Sequence, residues 1–263
     1  MVIYFTLKTM KNSTKTNRRN FLKKASLGAL ATISIPEIIG CSLTATSNPQ
    51  ITLKQDTIVL FQGDSITDAG RNKQNNEPNT TGHLGSGYAM QAAGRLLEKQ
   101  ASVNPKFFNK GISGNKVFQL AERWDTDCLD IKPDVLSILI GVNDIWHKLD
   151  LNYEGTVEIY KNDYIALIER TKEVLPDVTL IICEPFAVTG VRAVDDRWYP
   201  EFDEYRAAAK EVADKFNAHF IPFQTIFDEA QKLAPGSYWT YDGVHPSLAG
   251  AALMAEAYTS LFI

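Results

Sequence analysis

Five short apolar runs, each closed by polar turn residues, constrain the fold of this 263-residue chain more than any other feature. They lie at residues 57–61, 106–109, 135–140, 178–183 and 219–222. They are rich in β-branched and aromatic residues and too short for independent helices. Runs of this kind suit strands buried on both faces, as in a parallel sheet. Between them the apolar period changes to three and four. Tyr160, Tyr164, Leu167, Ile168 and Thr171 form one stripe, and Phe202, Tyr205, Ala209, Val212 and Phe216 another. A last helix is predicted to open at Ser247, behind Pro246, with Leu248, Ala251, Ala255, Tyr258 and Phe262 on one face. Alternating strands and helices with right-handed crossovers predict an α/β fold: a three-layer α/β/α sandwich around a mostly parallel sheet of about five strands. The strand order is not readable from these patterns.

The first forty residues differ in character. They carry seven of the 27 basic residues and one of the 31 acidic ones, so the remainder holds 20 basic and 30 acidic residues, a net charge of −10. A body that acidic repels phosphate backbones, which argues against a nucleic-acid partner. Arg18-Arg19, followed by an apolar stretch from Ala25 to Ile39, resembles a twin-arginine export signal, and Ile38-Ile39-Gly40-Cys41 resembles a lipobox. The apolar stretch is short for a membrane span. The expected organisation is therefore a cleaved export signal over residues 1–40 and lipidation at Cys41. A polar tether would follow over 41–55, then one domain over 56–263. This implies a bacterial envelope location with membrane contact only through the lipid. Met10 is an alternative translation start, since residues 1–9 sit oddly ahead of a basic segment. Cys128 and Cys183 leave a disulfide open without arguing for one. No clustered His/Cys spacing suggests a metal, and no cofactor is expected.

Four polar segments follow the predicted strands or precede the last helix: Gly63-Asp64-Ser65-Ile66, Asn109-Lys110-Gly111-Ile112-Ser113-Gly114-Asn115, Gly141-Val142-Asn143-Asp144 and Asp242-Gly243-Val244-His245-Pro246. In a parallel sheet they share one edge. Taken singly, each also reads as turn chemistry: Asp64 and Ser65 can close a loop, and Asn143 and Asp144 can end a strand. Taken together they supply a nucleophile with its base. A serine hydroxyl attacks only if a base takes its proton, and a neutral imidazole does so while a carboxylate holds its other nitrogen.

In this order the segments resemble the four blocks of the SGNH hydrolases, also called GDSL esterases and lipases, over roughly residues 57–263. The resemblance implies the flavodoxin-like fold of that family, with Ser65 as nucleophile, His245 as base and Asp242 as its orienting acid. It also implies an oxyanion hole from the N–H groups of Ser65 and Gly111 and the amide of Asn143. Ile66 stands where the family name has leucine and touches no reacting atom. No GxSxG elbow surrounds Ser65. Asp64 and Asp144 read as structural residues near the loops, and His83, His147 and His219 as surface or core histidines.

Arg71 in the long first loop, Trp146 after Asn143, Trp198 in the loop after the fourth strand and Trp239 ahead of Asp242 are candidate substrate contacts, since flat amphipathic rings beside polar groups suit a sugar. Such rings serve equally well as packing under loops. The expected activity is serine-dependent removal of small acyl groups, above all acetyl, from carbohydrate. The alternatives are a lysophospholipase, thioesterase or short-chain esterase of the same family, and an inactive glycan-binding surface lipoprotein.

Overall fold

A computed structural model describes residues 34–43 and 49–263. The Arg18-Arg19 pair and most of the segment joining Cys41 to the domain lie outside the described residues. Five strands, β1 (Ile58–Gly63), β2 (Lys106–Asn109), β3 (Val135–Leu139), β4 (Thr179–Cys183) and β5 (His219–Ile221), form one sheet in the order β2-β1-β3-β4-β5. Every neighbouring pair is parallel, with Val59 opposite both Phe107 and Val135 in the central register.

The helices in chain order are α1 (Ile35–Leu43), α2 (Ser65–Asp68), α3 (Thr81–Leu84), α4 (Tyr88–Lys99), α5 (Val117–Glu122) and α6 (Val142–Leu151). They continue with α7 (Val157–Val174), α8 (Glu201–Lys215), α9 (Phe223–Ala230), α10 (Gly236–Trp239) and α11 (Leu248–Thr259). Helices α4 and α11 pack together, as do α7 with α8 and α5 with α7. This is the expected α/β/α sandwich of the doubly wound type.

The predicted stripes face the core. Tyr160, Tyr164, Leu167, Ile168 and Thr171 of α7 are buried, as are Phe202, Tyr205, Ala209 and Val212 of α8. All five residues of β3 are buried, and each of its large apolar side chains contributes about 1.5–3 kcal/mol through burial. Helix α11 departs from the one-face expectation. It is buried on most sides, while Leu248, its first residue, is 74% exposed.

The chain enters the domain earlier than the expected boundary at residue 56. Ile51 donates to Leu261 O (2.7 Å) and accepts from Ile263 N (3.1 Å), and Ile51 and Leu53 are buried. Residues 51–55 therefore belong to the domain and not to a tether, because their apolar side chains have a core to enter. Helix α1 carries the lipobox-like residues and buries Ile38 and Ile39 beside α9 and α11. Cys128 and Cys183 are separate buried thiols, both pushed up to about 12 by burial. His83 and His219 are buried histidines, as expected.

After β1 the chain crosses to β2 on one side, then returns past β1 to β3. The order reverses between β1 and β3, and the crevice outside their carboxyl ends is where open α/β sheets bind ligands. Gly63 ends β1 and Gly141 follows β3, so the first and third polar segments meet there.

Candidate active site

Where β1 ends, Asp64 caps α2: its Oδ1 accepts from Ile66 N at 3.0 Å. That turn sets Ser65 at the head of a short helix. The partner arrives from the loop before α11, where one carboxylate builds a tight turn. Asp242 Oδ1 accepts from Val244 N (2.9 Å) and His245 N (2.7 Å), while its Oδ2 accepts from His245 Nδ1 (2.7 Å). With the proton fixed on Nδ1, Nε2 is the accepting nitrogen, and it stands 2.7 Å from Ser65 Oγ.

The charges agree with that geometry. Burial opposes ionisation of Asp242, but the hydrogen bonds from the His245 ring and from the two backbone N–H groups outweigh it and hold the carboxyl at about 2. The bond to Asp242 raises His245 above its ordinary 6.5 against the opposing effect of burial. The Trp146 ring lies 5.9 Å from the imidazole, centroid to centroid.

The second loop is laced to the first. Asn109 Nδ2 donates to Thr67 O (2.6 Å) and Leu84 O (2.9 Å), and its Oδ1 accepts from Gly111 N (2.9 Å). Asp68 Oδ2 accepts from Ser113 N (3.0 Å) and Ser113 Oγ (2.9 Å). Gly111 is thus not brought to the site in the way the sequence suggested. Its N–H is engaged by Asn109, and a Cβ there would lie 2.4 Å from Asp68 N, so glycine is required by close packing of the two loops. The glycine of this loop that lines the cavity beside Ser65 and Asn143 is Gly114, which adopts φ +81° and faces His147, whose Cε1 would lie 3.8 Å from a Cβ there. Asn143, in the first turn of α6, donates one Nδ2 hydrogen to Asn115 O at 3.2 Å, which orients the amide and leaves the other hydrogen.

Two cavities flank the Ser65–His245 pair. One, of about 350 Å³, has an apolar wall from Ile66, Ala69, Tyr88, Leu248 and Ala251, with Tyr241 at its rim. The other, of about 450 Å³, has Gly114, Asn143, Trp146, His147 and Asp150.

Of the four candidate substrate contacts, Trp146 alone lines either of these two cavities. Arg71 is buried and its Nε donates to Gly111 O (2.8 Å), so it supports the second loop from behind. Trp198 is fully buried under Trp146, at 5.8 Å between ring centroids, with its Nε1 on Ala193 O. Trp239 directs its Nε1 to Ala230 O and Ala234 O and packs inward. Asp144 is buried, its Oδ2 has no partner among the described residues, and burial pushes its carboxyl well up. His147 is neither a plain surface nor a core residue, because it lines the larger cavity. Its spacing of four from Asn143 on one helix was the sequence signal for that.

A serine, a histidine and an aspartate joined by hydrogen bonds at the topological switch point are the groups that acyl-transfer hydrolysis requires. The chain matches the model of the GDSL-like lipase/acylhydrolase family over residues 61–253. It is 35% identical over 204 residues to an acetylxylan esterase of Geobacillus stearothermophilus, covering 76% of this chain and 91% of that protein. A solved structure of an acetylxylan esterase, Axe2, from the same organism superposes with a TM-score of 0.72 at 32% identity, over 80% of this chain and 96% of the other. A GDSL-like lipase from Parabacteroides merdae superposes with a TM-score of 0.80 at 54% identity, over 81% of this chain and all of the other. The chain belongs to the GDSL-like lipase/acylhydrolase family, the SGNH hydrolases, and is a carboxylic-ester hydrolase.

Proposed function

We propose that the protein removes O-acetyl groups from carbohydrate through an acyl-enzyme on Ser65. His245 Nε2 takes the Ser65 proton as Oγ attacks the ester carbonyl, and Asp242 stabilises the imidazolium that forms. The developing oxyanion receives hydrogen bonds from the backbone N–H groups of Ser65 and Gly114 and from the free hydrogen of Asn143 Nδ2. Gly114 takes the role first read for Gly111. The imidazolium returns its proton to the departing sugar oxygen. Water then repeats the cycle, releasing acetate and restoring the serine.

The observation that carries this reading is the unbroken relay from Ser65 Oγ through His245 to Asp242, with both bonds at 2.7 Å. Catalytic mutants of the Geobacillus acetylxylan esterase replace a serine, a histidine and an aspartate, the last two three residues apart, as Asp242 and His245 are here. The carbohydrate side rests on likeness to that acetylxylan esterase and on Trp146 at the cavity. An intact relay argues against a glycan-binding protein with a dead site. The apolar wall of the smaller cavity favours a second reading, a short-chain acyl esterase of broader scope.

The test is Ser65→Ala assayed on 4-nitrophenyl acetate and on acetylated xylo-oligosaccharides. Hydrolysis is expected to fall by about 10⁴–10⁶ while the glycan still binds. Unchanged hydrolysis removes Ser65 as nucleophile. Export and lipid anchoring through Cys41 belong to the same proposal, supported by the basic pair and the lipobox-like sequence. In a bacterial host, Cys41→Ser is expected to move the protein from the membrane to the soluble fraction, and retention on the membrane would refute the anchor.

A further inference from the structure

His147 lies one helical turn beyond Asn143 on α6, at the wall of the larger cavity. Its Nδ1 is 3.0 Å from Lys116 Nζ. An ammonium group only donates, so Nδ1 carries the lone pair and the ring proton sits on Nε2. Lys116 is itself fixed. It is buried, and its Nζ lies 4.9 Å from the Tyr153 ring centroid and 5.5 Å from that of Phe118, two rings stacked 6.0 Å apart. Burial and the neighbouring Lys116 charge both lower the proton affinity of His147, which keeps the imidazole neutral. Its Nε2–H has no protein acceptor among the described residues.

The two cavities differ in the polar groups they offer. In the smaller one the hydroxyls of Ser86 and Ser247 donate to Ala69 O and Tyr238 O, and the exposed Tyr241 adds a phenol. The larger one combines the His147 Nε2–H with the indole of Trp146 and the carboxylate of Asp150, whose Oδ2 accepts from Trp146 Nε1 at 3.0 Å and whose Oδ1 accepts from Arg197 Nη1 at 3.2 Å. A ring face, a neutral donor and an acceptor side by side match the C–H face and hydroxyls of a sugar.

We propose that His147, held by Lys116 as its Nε2–H tautomer, binds the alcohol portion of the ester by donating to a sugar oxygen while Trp146 covers the sugar face. The assignment rests on the carbohydrate reading above. It makes the larger cavity the leaving-group side and the smaller one the acyl side.

The experiment compares kcat/KM on acetylated xylo-oligosaccharides and on 4-nitrophenyl acetate for the full-length wild type, His147→Ala and His147→Gln. The ratio of glycan to aryl-ester kcat/KM is expected to fall about tenfold in the alanine variant, chiefly through KM. Glutamine, whose amide can present an N–H near the Nε2 position, should recover most of it. A long-range ¹H–¹⁵N spectrum should show Nε2 protonated and Nδ1 bare in the wild type, with the fixed tautomer lost in Lys116→Met. An unchanged ratio, an equal loss on both substrates, or a bare Nε2 overturns the assignment. Failure of the wild type on every acetylated glycan is a separate outcome that removes the carbohydrate reading together with this one.

Discussion

Asp242 serves two purposes with one carboxylate: one oxygen shapes the turn and the other holds the ring. Asp242→Asn preserves an accepting oxygen for the turn but loses the charge that stabilises the imidazolium, so kcat should fall on the order of 10⁴. The pH profile gives an independent check. His245 acts as a base only when neutral, so kcat/KM should rise as pH passes its raised pKa. Without the Asp242 carboxylate that pKa falls, and the acid limb of the residual activity should move to lower pH. Asn143→Ala should cost about 10²–10³ in kcat, the effect of one missing oxyanion donor. An alanine variant with wild-type kcat would take Asn143 out of the site. The contrast with Gly114 explains what was legible. Ser65, Asp242 and His245 can be read from sequence because their chemistry demands particular side chains. A backbone donor makes no such demand, since almost every residue has an N–H, so the sequence does not tell which glycine of the second loop lines the cavity, where the structure has Gly114 and not Gly111.

At the scale of elements, the site depends on two loops held against each other by side chains that never touch substrate. Asn109 satisfies Thr67 O, Leu84 O and Gly111 N at once. Asn109→Ala leaves three buried backbone groups unpaired, each costing about 1–3 kcal/mol, so the midpoint of urea unfolding should drop substantially. A variant with an unshifted midpoint would mean that the loops are held by other contacts. Asp68 makes the same point with a charge. Its bonds from Ser113 and the Lys73 ammonium outweigh burial and hold its carboxyl below the usual 3.8. That contribution is present above the unfolded value and is lost as pH falls through the lower folded one, so the stability gap between wild type and Asp68→Ala should narrow in acid. The strands were legible to within a few residues because burial on both faces forces continuous apolar runs. The inward turn of Trp198 and Trp239 was not, since a place in a loop does not say which way a ring points. Leu248 fell on the stripe of α11 yet faces the smaller cavity, because a first-turn residue lies at the rim of the sheet and not over it.

For the whole molecule the net charge is −4, and residues 41–263 by themselves carry −10. The larger cavity has Asp150 at its wall, but Arg197 Nη1 pairs with its Oδ1 at 3.2 Å, so this local pair adds no net charge and the field at the site is that of the body. The long-range field at the site should therefore be negative, and at about 0.1 M salt it is screened beyond roughly 10 Å. A neutral acetylated oligosaccharide feels little of that field, so its kcat/KM should stay level as salt is raised from low to high. An oligosaccharide bearing both acetyl groups and uronic acids is repelled on approach, and its kcat/KM should rise with salt as the repulsion is screened. A rate that falls with salt for the acidic substrate would mean that a local cationic patch outweighs the charge of the whole body, and the preference for neutral glycans that this charge implies would then be wrong.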